Sequence, residues 1–73
     1  MKEERQYEYR ILYVTKGSVN ASYHYYLAFT PEEALQFQNK MAVSKDWEIE
    51  TLSIEKKNPF SLKWEDCSEI LNK

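Results

Sequence analysis

A short segment near the middle of the chain, Thr30-Pro31-Glu32-Glu33, restricts the fold more than any other feature of the sequence. Thr30 can accept hydrogen bonds from the first free N–H groups of a helix, and a proline suits the first helical position. Glu33 completes a capping box, and both glutamates favour the positive end of the helix dipole. We therefore predict a helix that begins at Pro31 and runs to about Ser44. The apolar stripe of this helix is interpreted as core and consists of Ala34, Leu35, Phe37, Met41 and Ala42.

The segments before this helix are typical of β-strands. Residues 7–16 and 22–29 are rich in aromatic and β-branched side chains, and residues 7–16 alternate between two rows. Gly17 and Asn20 lie between the two segments and tolerate positive φ, so the chain is expected to reverse there. The sequence thus predicts a hairpin.

Two more strands are predicted after the helix. A β-bulge near Glu50 or Thr51 would place four apolar side chains on one face: Trp47, Ile49, Leu52 and Ile54. Residues 60–64 alternate as a short last strand that begins at Phe60, after a turn at residues 56–59. Asp66 and Glu69 form a second capping signature, which predicts a terminal helical turn.

The fold class that follows is α+β, a single two-layer domain with one main helix packed on an antiparallel sheet. The helix returns the chain across the sheet, so the third strand runs parallel to the second and pairs with the first. This gives a predicted strand order of 2-1-3-4, with a frayed terminus at residues 1–6 and the helical turn at residues 66–73. A chain of 73 residues has one core, since it buries only about 60 to 65% of its unfolded surface.

The second strand is apolar on both sides. Ala28 is small enough to let the helix approach, so Ala28, Tyr26 and His24 are expected to face the helix. Alternation then directs four large side chains to the other face: Tyr23, Tyr25, Leu27 and Phe29. Such a row has to be covered. The cover is the terminal segment with Ile70 and Leu71, a second copy of the chain, or a different partner.

Acidic residues concentrate towards the C-terminus, where residues 46–73 carry seven Asp and Glu against four Lys. The candidate binding residues among them are Glu48, Glu50, Glu55, Glu65 and Asp66. An ordered acidic ridge can attract a basic groove that normally holds nucleic acid; the alternative is a merely solvated edge. Direct nucleic-acid binding is disfavoured, because the pI is about 5.4 and phosphates require a basic field.

Residues that carry catalysis or bind cofactors are scarce. The only histidine, His24, is 43 positions from the only cysteine, Cys67, and one glycine cannot build a phosphate-binding loop. We expect no catalytic, cofactor-binding or metal-binding residues and no enzyme activity. Without a run long enough for a membrane span or a secretory signal, the expected location is the cytoplasm, of the host cell if the protein is phage-encoded.

Three features together resemble the small inhibitors that phages use against bacterial defence, in particular one group of type I anti-CRISPR proteins. They are the hairpin followed by a capped helix at residues 30–34, Ile49-Glu50-Thr51 in the third strand, and Trp64-Glu65-Asp66-Cys67 near the end. The resemblance implies a catalytically inert protein that blocks a host complex by occupying its surface.

The leading functional hypothesis is accordingly a non-catalytic phage or mobile-element inhibitor. It would bind a protein of a host defence or nucleic-acid-processing complex through the tyrosine-rich face, the acidic ridge or both. The alternative is a small homo-oligomeric regulatory or structural protein with the tyrosine face as its dimer interface. A single-stranded nucleic-acid binder is the third hypothesis.

Overall fold

The computed structural model describes residues 5–72, so Met1 to Glu4 and Lys73 lie outside the described residues. The elements are β1 (Tyr7–Thr15), β2 (Ser22–Ala28), α1 (Pro31–Ser44), β3 (Ile49–Lys57), β4 (Trp64–Asp66) and a C-terminal 3₁₀ helix (Ser68–Asn72). The predicted frayed terminus is described only at Arg5 and Gln6, which have no regular structure. Within residues 5–72, no helix has the length and apolar character needed to cross a membrane.

The four strands form one antiparallel sheet in the order β2-β1-β3-β4, which confirms the predicted α+β class and strand order. The hairpin brings Ile11 opposite His24, and β3 pairs with the other side of β1, where Ile54 lies opposite Ile11. β4 pairs with the last residues of β3.

The capping residues fix where α1 begins. The Thr30 side chain accepts a hydrogen bond from the Glu33 N–H at 3.1 Å, as the sequence predicts. The Glu33 carboxylate reaches back to the N–H of Phe29 at 2.9 Å, one residue before the usual capping-box donor. Thr30 and Glu33 therefore satisfy two backbone donors and join the end of β2 to the helix.

The core lies between the sheet and α1. Ala28 and Ala34 are fully buried in contact with one cluster, so a small residue in β2 does allow close approach of the helix. Tyr9, Ile11 and Ile54 complete that cluster.

The C-terminal 3₁₀ helix packs on the same side of the sheet as α1. Ile70 and Leu71, together with Cys67, contact the buried core cluster. Of the three alternatives for the cover of the second sheet face, the terminal segment is therefore excluded. The Ser68 hydroxyl accepts a hydrogen bond from the Ile54 N–H at 3.1 Å, which anchors the segment beside β3.

The predicted bulge in β3 exists, opposite Leu12 and Tyr13 of β1, where the pairing shifts from Ser53 to Thr51. The shift places Ile49 and Ile54 on the same face. Leu52 is the extra residue of the bulge, without a partner in β1, and is 43% exposed. Trp47, which precedes the strand, is 42% exposed.

The predicted last strand that begins at Phe60 is wrong. The Asn58 side-chain oxygen accepts hydrogen bonds from the N–H groups of Phe60 and Ser61 at 2.8 and 3.1 Å. The Asn58 carbonyl accepts from Leu62, whose φ of 63° turns the chain. This local hydrogen-bond network replaces strand pairing, so β4 begins only at Trp64.

Candidate functional site

No helix of residues 5–72 packs on the face of the sheet turned away from α1, and we call it the open face. Its central residues are Arg10, Leu12 and Val14 of β1, Tyr23, Tyr25 and Leu27 of β2, Glu55 of β3 and Trp64 of β4. Tyr25 is 55% exposed and Leu27 63% exposed. A surface with several large apolar side chains at such exposure is typical of an interaction site.

Strand register assembles this face from residues distant in sequence. Cross-strand partners share a face, and one row runs Tyr25, Arg10, Glu55, Asp66 across all four strands. Arg10 therefore lies at the centre of the row, with an aromatic residue on one side and carboxylates on the other.

The Arg10 guanidinium is held between two rings. Its central carbon lies 4.6 Å from the ring centre of Tyr23 and 4.4 Å from that of Trp64. Its Nε donates a hydrogen bond to Glu55 Oε1 at 2.8 Å, and this bond is the main cause that raises the pKa of Arg10. Tyr25 joins through the Trp64 ring, with 6.0 Å between ring centres. We call these five residues the arginine–aromatic cluster; cation–π contacts and the ion pair hold it in one arrangement.

Three of the four predicted apolar site residues lie on the open face, namely Tyr23, Tyr25 and Leu27. Phe29 follows the end of β2 and is 45% exposed. Its N–H is bound by Glu33, so it belongs to the junction with α1 and not to the strand rows.

The predicted acidic ridge is not one surface. Glu50, Glu55 and Asp66 belong to the open face, whereas Glu65 pairs opposite Lys56 on the helix side. Glu48 lies at the hairpin end, 3.1 Å from the Lys16 ammonium. Strand alternation separates them, because neighbouring residues point to opposite faces.

Asp66 has a local role as well. Its carboxylate accepts a hydrogen bond from the Ser68 N–H at 2.9 Å, and hydrogen bonding to Ser68 lowers the pKa of Asp66. The Asp66 half of the predicted capping signature is thus confirmed, with Asp66 as the acceptor at the start of the 3₁₀ helix.

Sequence reasoning missed Arg10 and Trp64 as site residues. The pattern assigns Trp64 only to the predicted strand that begins at Phe60. The signal for Arg10 was available, since it shares its alternation row with Leu12 and Val14. The position of Trp64 in the sheet could not be predicted from alternation, because it depends on the turn formed by Asn58.

A polar network lies on the opposite, helix-covered side. Gln38 of α1 is fully buried, and its side-chain oxygen accepts hydrogen bonds from the Tyr26 hydroxyl and from His24 Nδ1. The Tyr13 hydroxyl lies 3.2 Å from His24 Nε2. Gln38 Nε2 is buried without a hydrogen-bond partner among the described residues. Gln38 was also missed, because the sequence pattern assigns only apolar residues to the buried stripe.

His24 and Cys67, the two residues considered for nucleophilic chemistry, are not arranged as a nucleophile and its base. The polar contacts of His24 are with Tyr13, Tyr26 and Gln38. Burial raises the pKa of the Cys67 thiol, which disfavours the reactive thiolate. Within residues 5–72, no three His, Cys, Asp or Glu side chains are grouped to hold a metal ion.

Comparison with known proteins gives no relative from which a role could be transferred: no family model, curated protein or solved structure matches the chain.

Proposed function

We propose that this protein is a non-catalytic inhibitor that binds a protein of a host defence or nucleic-acid-processing complex, with the arginine–aromatic cluster at the centre of the contact. The observation that carries the proposal is an arginine held between Tyr23 and Trp64 on a sheet face that residues 5–72 leave uncovered. The inhibitory role is what the anti-CRISPR resemblance adds to this surface.

The residue types favour a protein partner. Trp, Tyr and Arg are the side chains that most often carry the binding energy of protein interfaces. Here Glu55 holds Arg10, and Arg10 contacts the rings of Tyr23 and Trp64, so little side-chain freedom would be lost on binding. Tyr25 within the cluster and Leu27 beside it supply exposed apolar area.

The charges of the open face disfavour a nucleic acid and favour a basic protein surface. The positive charge of Arg10 is neutralised by Glu55, and Lys57 lies 3.9 Å from Glu8. Glu50 and Asp66 add negative charge to the same face. Phosphates would meet carboxylates here, whereas a basic groove would meet complementary charge.

The test compares capture of host proteins by the wild-type chain and by a Tyr25→Ser, Leu27→Ser double variant. Both residues are exposed, so the double variant should stay folded, as circular dichroism would verify. It should lose at least about 90% of the captured partner, because hot-spot residues contribute about 2 kcal/mol or more each. The matched control is Val19→Ser with Val43→Ser, which removes apolar side chains that are 95% and 81% exposed elsewhere.

The inhibitory part is tested separately, in cells that carry a type I CRISPR defence against a phage. Expression of the wild-type chain should restore plaque formation, and the open-face double variant should not. Equal capture and equal plaque numbers for the wild-type chain and the open-face double variant would contradict the proposal. Tight binding of single-stranded RNA or DNA by the wild-type chain would also contradict it, in favour of the third hypothesis.

A further inference from the structure

The two edges of the sheet differ in how they are protected. The outer edge of β2 has no backbone pairing in the described part of the chain: β2 is a terminal strand and contributes no backbone bond besides those to β1. The strand Ser22–Ala28 contains no Lys, Arg, Asp, Glu, Pro or Gly. Edge strands normally carry charged residues or proline, because these residues block the pairing of an open edge with another chain.

The opposite edge has the usual protection. β4 is only three residues long and contains Glu65 and Asp66. The part of β3 that extends beyond β4 is bent by the bulge at Leu52. The Ser68 hydroxyl and the Cys67 N–H both bond to the backbone of Ile54. Charge, bulge and cover are the devices that block pairing, and among the described residues β2 has none of them.

We propose that β2 pairs antiparallel with β2 of a second copy of this chain, which joins two four-stranded sheets into one sheet of eight strands. A second copy fits because β2 is self-complementary about its middle residue, Tyr25. Antiparallel pairing about Tyr25 places Tyr23 opposite Leu27 and His24 opposite Tyr26. No pair contains Asp, Glu, Lys or Arg, so no like charges of these residues meet across the two strands.

The pairing is isologous, so a two-fold axis relates the two β2 strands. This axis is perpendicular to the sheet, because residues opposite each other in antiparallel strands share a face. Both open faces then lie on one side of the joined sheet, and both α1 helices lie on the other. Tyr25 of each copy meets at the centre, so the exposed aromatic surface is doubled and continuous. This arrangement differs from a dimer in which two open faces pack against each other, and it leaves the proposed binding surface accessible.

The first test uses the full wild-type chain alone. Sedimentation should show a concentration-dependent dimer, and backbone amides of β2 that do not bond to β1 should become protected from hydrogen exchange as the dimer forms. A monomer at all concentrations up to about millimolar would overturn the proposal. So would a dimer whose β2 amides exchange as fast as those of the monomer, because face-to-face packing leaves the edge open.

The second test uses charge at the symmetry axis. Tyr25→Lys and Tyr25→Glu should each weaken self-association at least about tenfold, since like charges would lie directly opposite. An equimolar mixture of the two variants should form a heterodimer, whereas dimers in both separate samples would overturn the proposed pairing. Leu52→Lys places a charge on the other edge and should leave the dimer unchanged. Neither test includes a host protein, so failure here is distinguishable from failure of the proposed function.

Discussion

Tyr25 and Tyr26 are neighbours in β2 and have opposite surroundings. Tyr26 points to α1, where burial raises the pKa of its hydroxyl and Gln38 accepts its hydrogen bond. Tyr25 points to the open face, is 55% exposed and contacts the ring of Trp64. The same residue type serves the core on one side of the strand and a surface cluster on the other.

The difference shows what assigns a face to the core. Both rows of β2 are aromatic, so hydrophobicity alone does not distinguish them. Ala28 and Ala34 do, because these two small residues are both fully buried in the core cluster and allow the helix to approach only that side. The face without such a contact keeps its aromatic residues exposed, and Arg10 organises them.

The largest expected difference between the two faces is in packing. Ile11→Ala removes a fully buried side chain and should lower the free energy of unfolding by about 2 to 5 kcal/mol, because it leaves a cavity in the core. Leu27→Ala, at 63% exposure, should change it by less than about 1 kcal/mol. Urea denaturation of both variants measures the comparison. Similar losses would mean that the open face is covered in solution.

The next expected effect is an alkaline loss of stability caused by the helix-covered face. Burial is the main cause that raises the pKa of Tyr9 from 10.0 to about 12. Below pH 10 both folded and unfolded chains keep this proton, so the stability is fully present. Between about pH 10 and 12 only the unfolded chain releases the proton, and stability should fall by about 2 to 3 kcal/mol.

The measurement is urea denaturation at several pH values for the wild-type chain and for Tyr9→Phe. The variant cannot titrate at residue 9 and should lose less stability over this range. Some loss should remain, because burial also raises the pKa of Tyr26. Identical slopes for the two proteins would show that Tyr9 ionises as easily in the folded chain as in the unfolded one.

A smaller effect separates the hydroxyl groups of the two faces. Tyr26→Phe removes the donor to Gln38 within the buried network and should cost about 1 to 2 kcal/mol, since a buried acceptor loses a partner. Tyr23→Phe retains the ring that contacts Arg10 and should cost less than about 0.5 kcal/mol. Thermal melting of both variants provides the comparison, and a larger shift for Tyr23→Phe would reverse the assignment of the two faces.

The sequence predicts the features that depend on local chemistry. The start of α1 follows from Thr30 and Glu33, and the orientation of β2 follows from Ala28. The predictions fail where the structure depends on contacts between distant residues, or where a side-chain hydrogen bond overrides the local alternation. Asn58 ties residues 58–63 into a turn, although Phe60 and Leu62 alternate like strand residues.

The candidate site is predictable only in part, for the same reason. Alternation places Tyr23, Tyr25 and Leu27 on one face without knowledge of the other strands. The arginine–aromatic cluster depends on register, which brings Arg10 between Tyr23 and Trp64. The positions of the acidic residues also depend on register, and the observed strand pairing distributes these residues between two faces.

The smallest expected effect concerns two carboxylates that the sequence treats alike. Glu50 belongs to the open face, whereas Glu48 at the hairpin end is already paired with Lys16. Glu50→Lys and Glu48→Lys change the net charge equally, so any difference between them reports position. If the partner is basic, Glu50→Lys should slow its association roughly two- to fivefold at low salt, and Glu48→Lys should slow it less. The difference should vanish at high salt, where charges more than about 3 to 10 Å apart are screened. Stopped-flow kinetics with the captured partner measures both rates. Equal rates would leave Glu50 as solvated surface, and faster association of Glu50→Lys would mean that the partner presents negative charge to the open face.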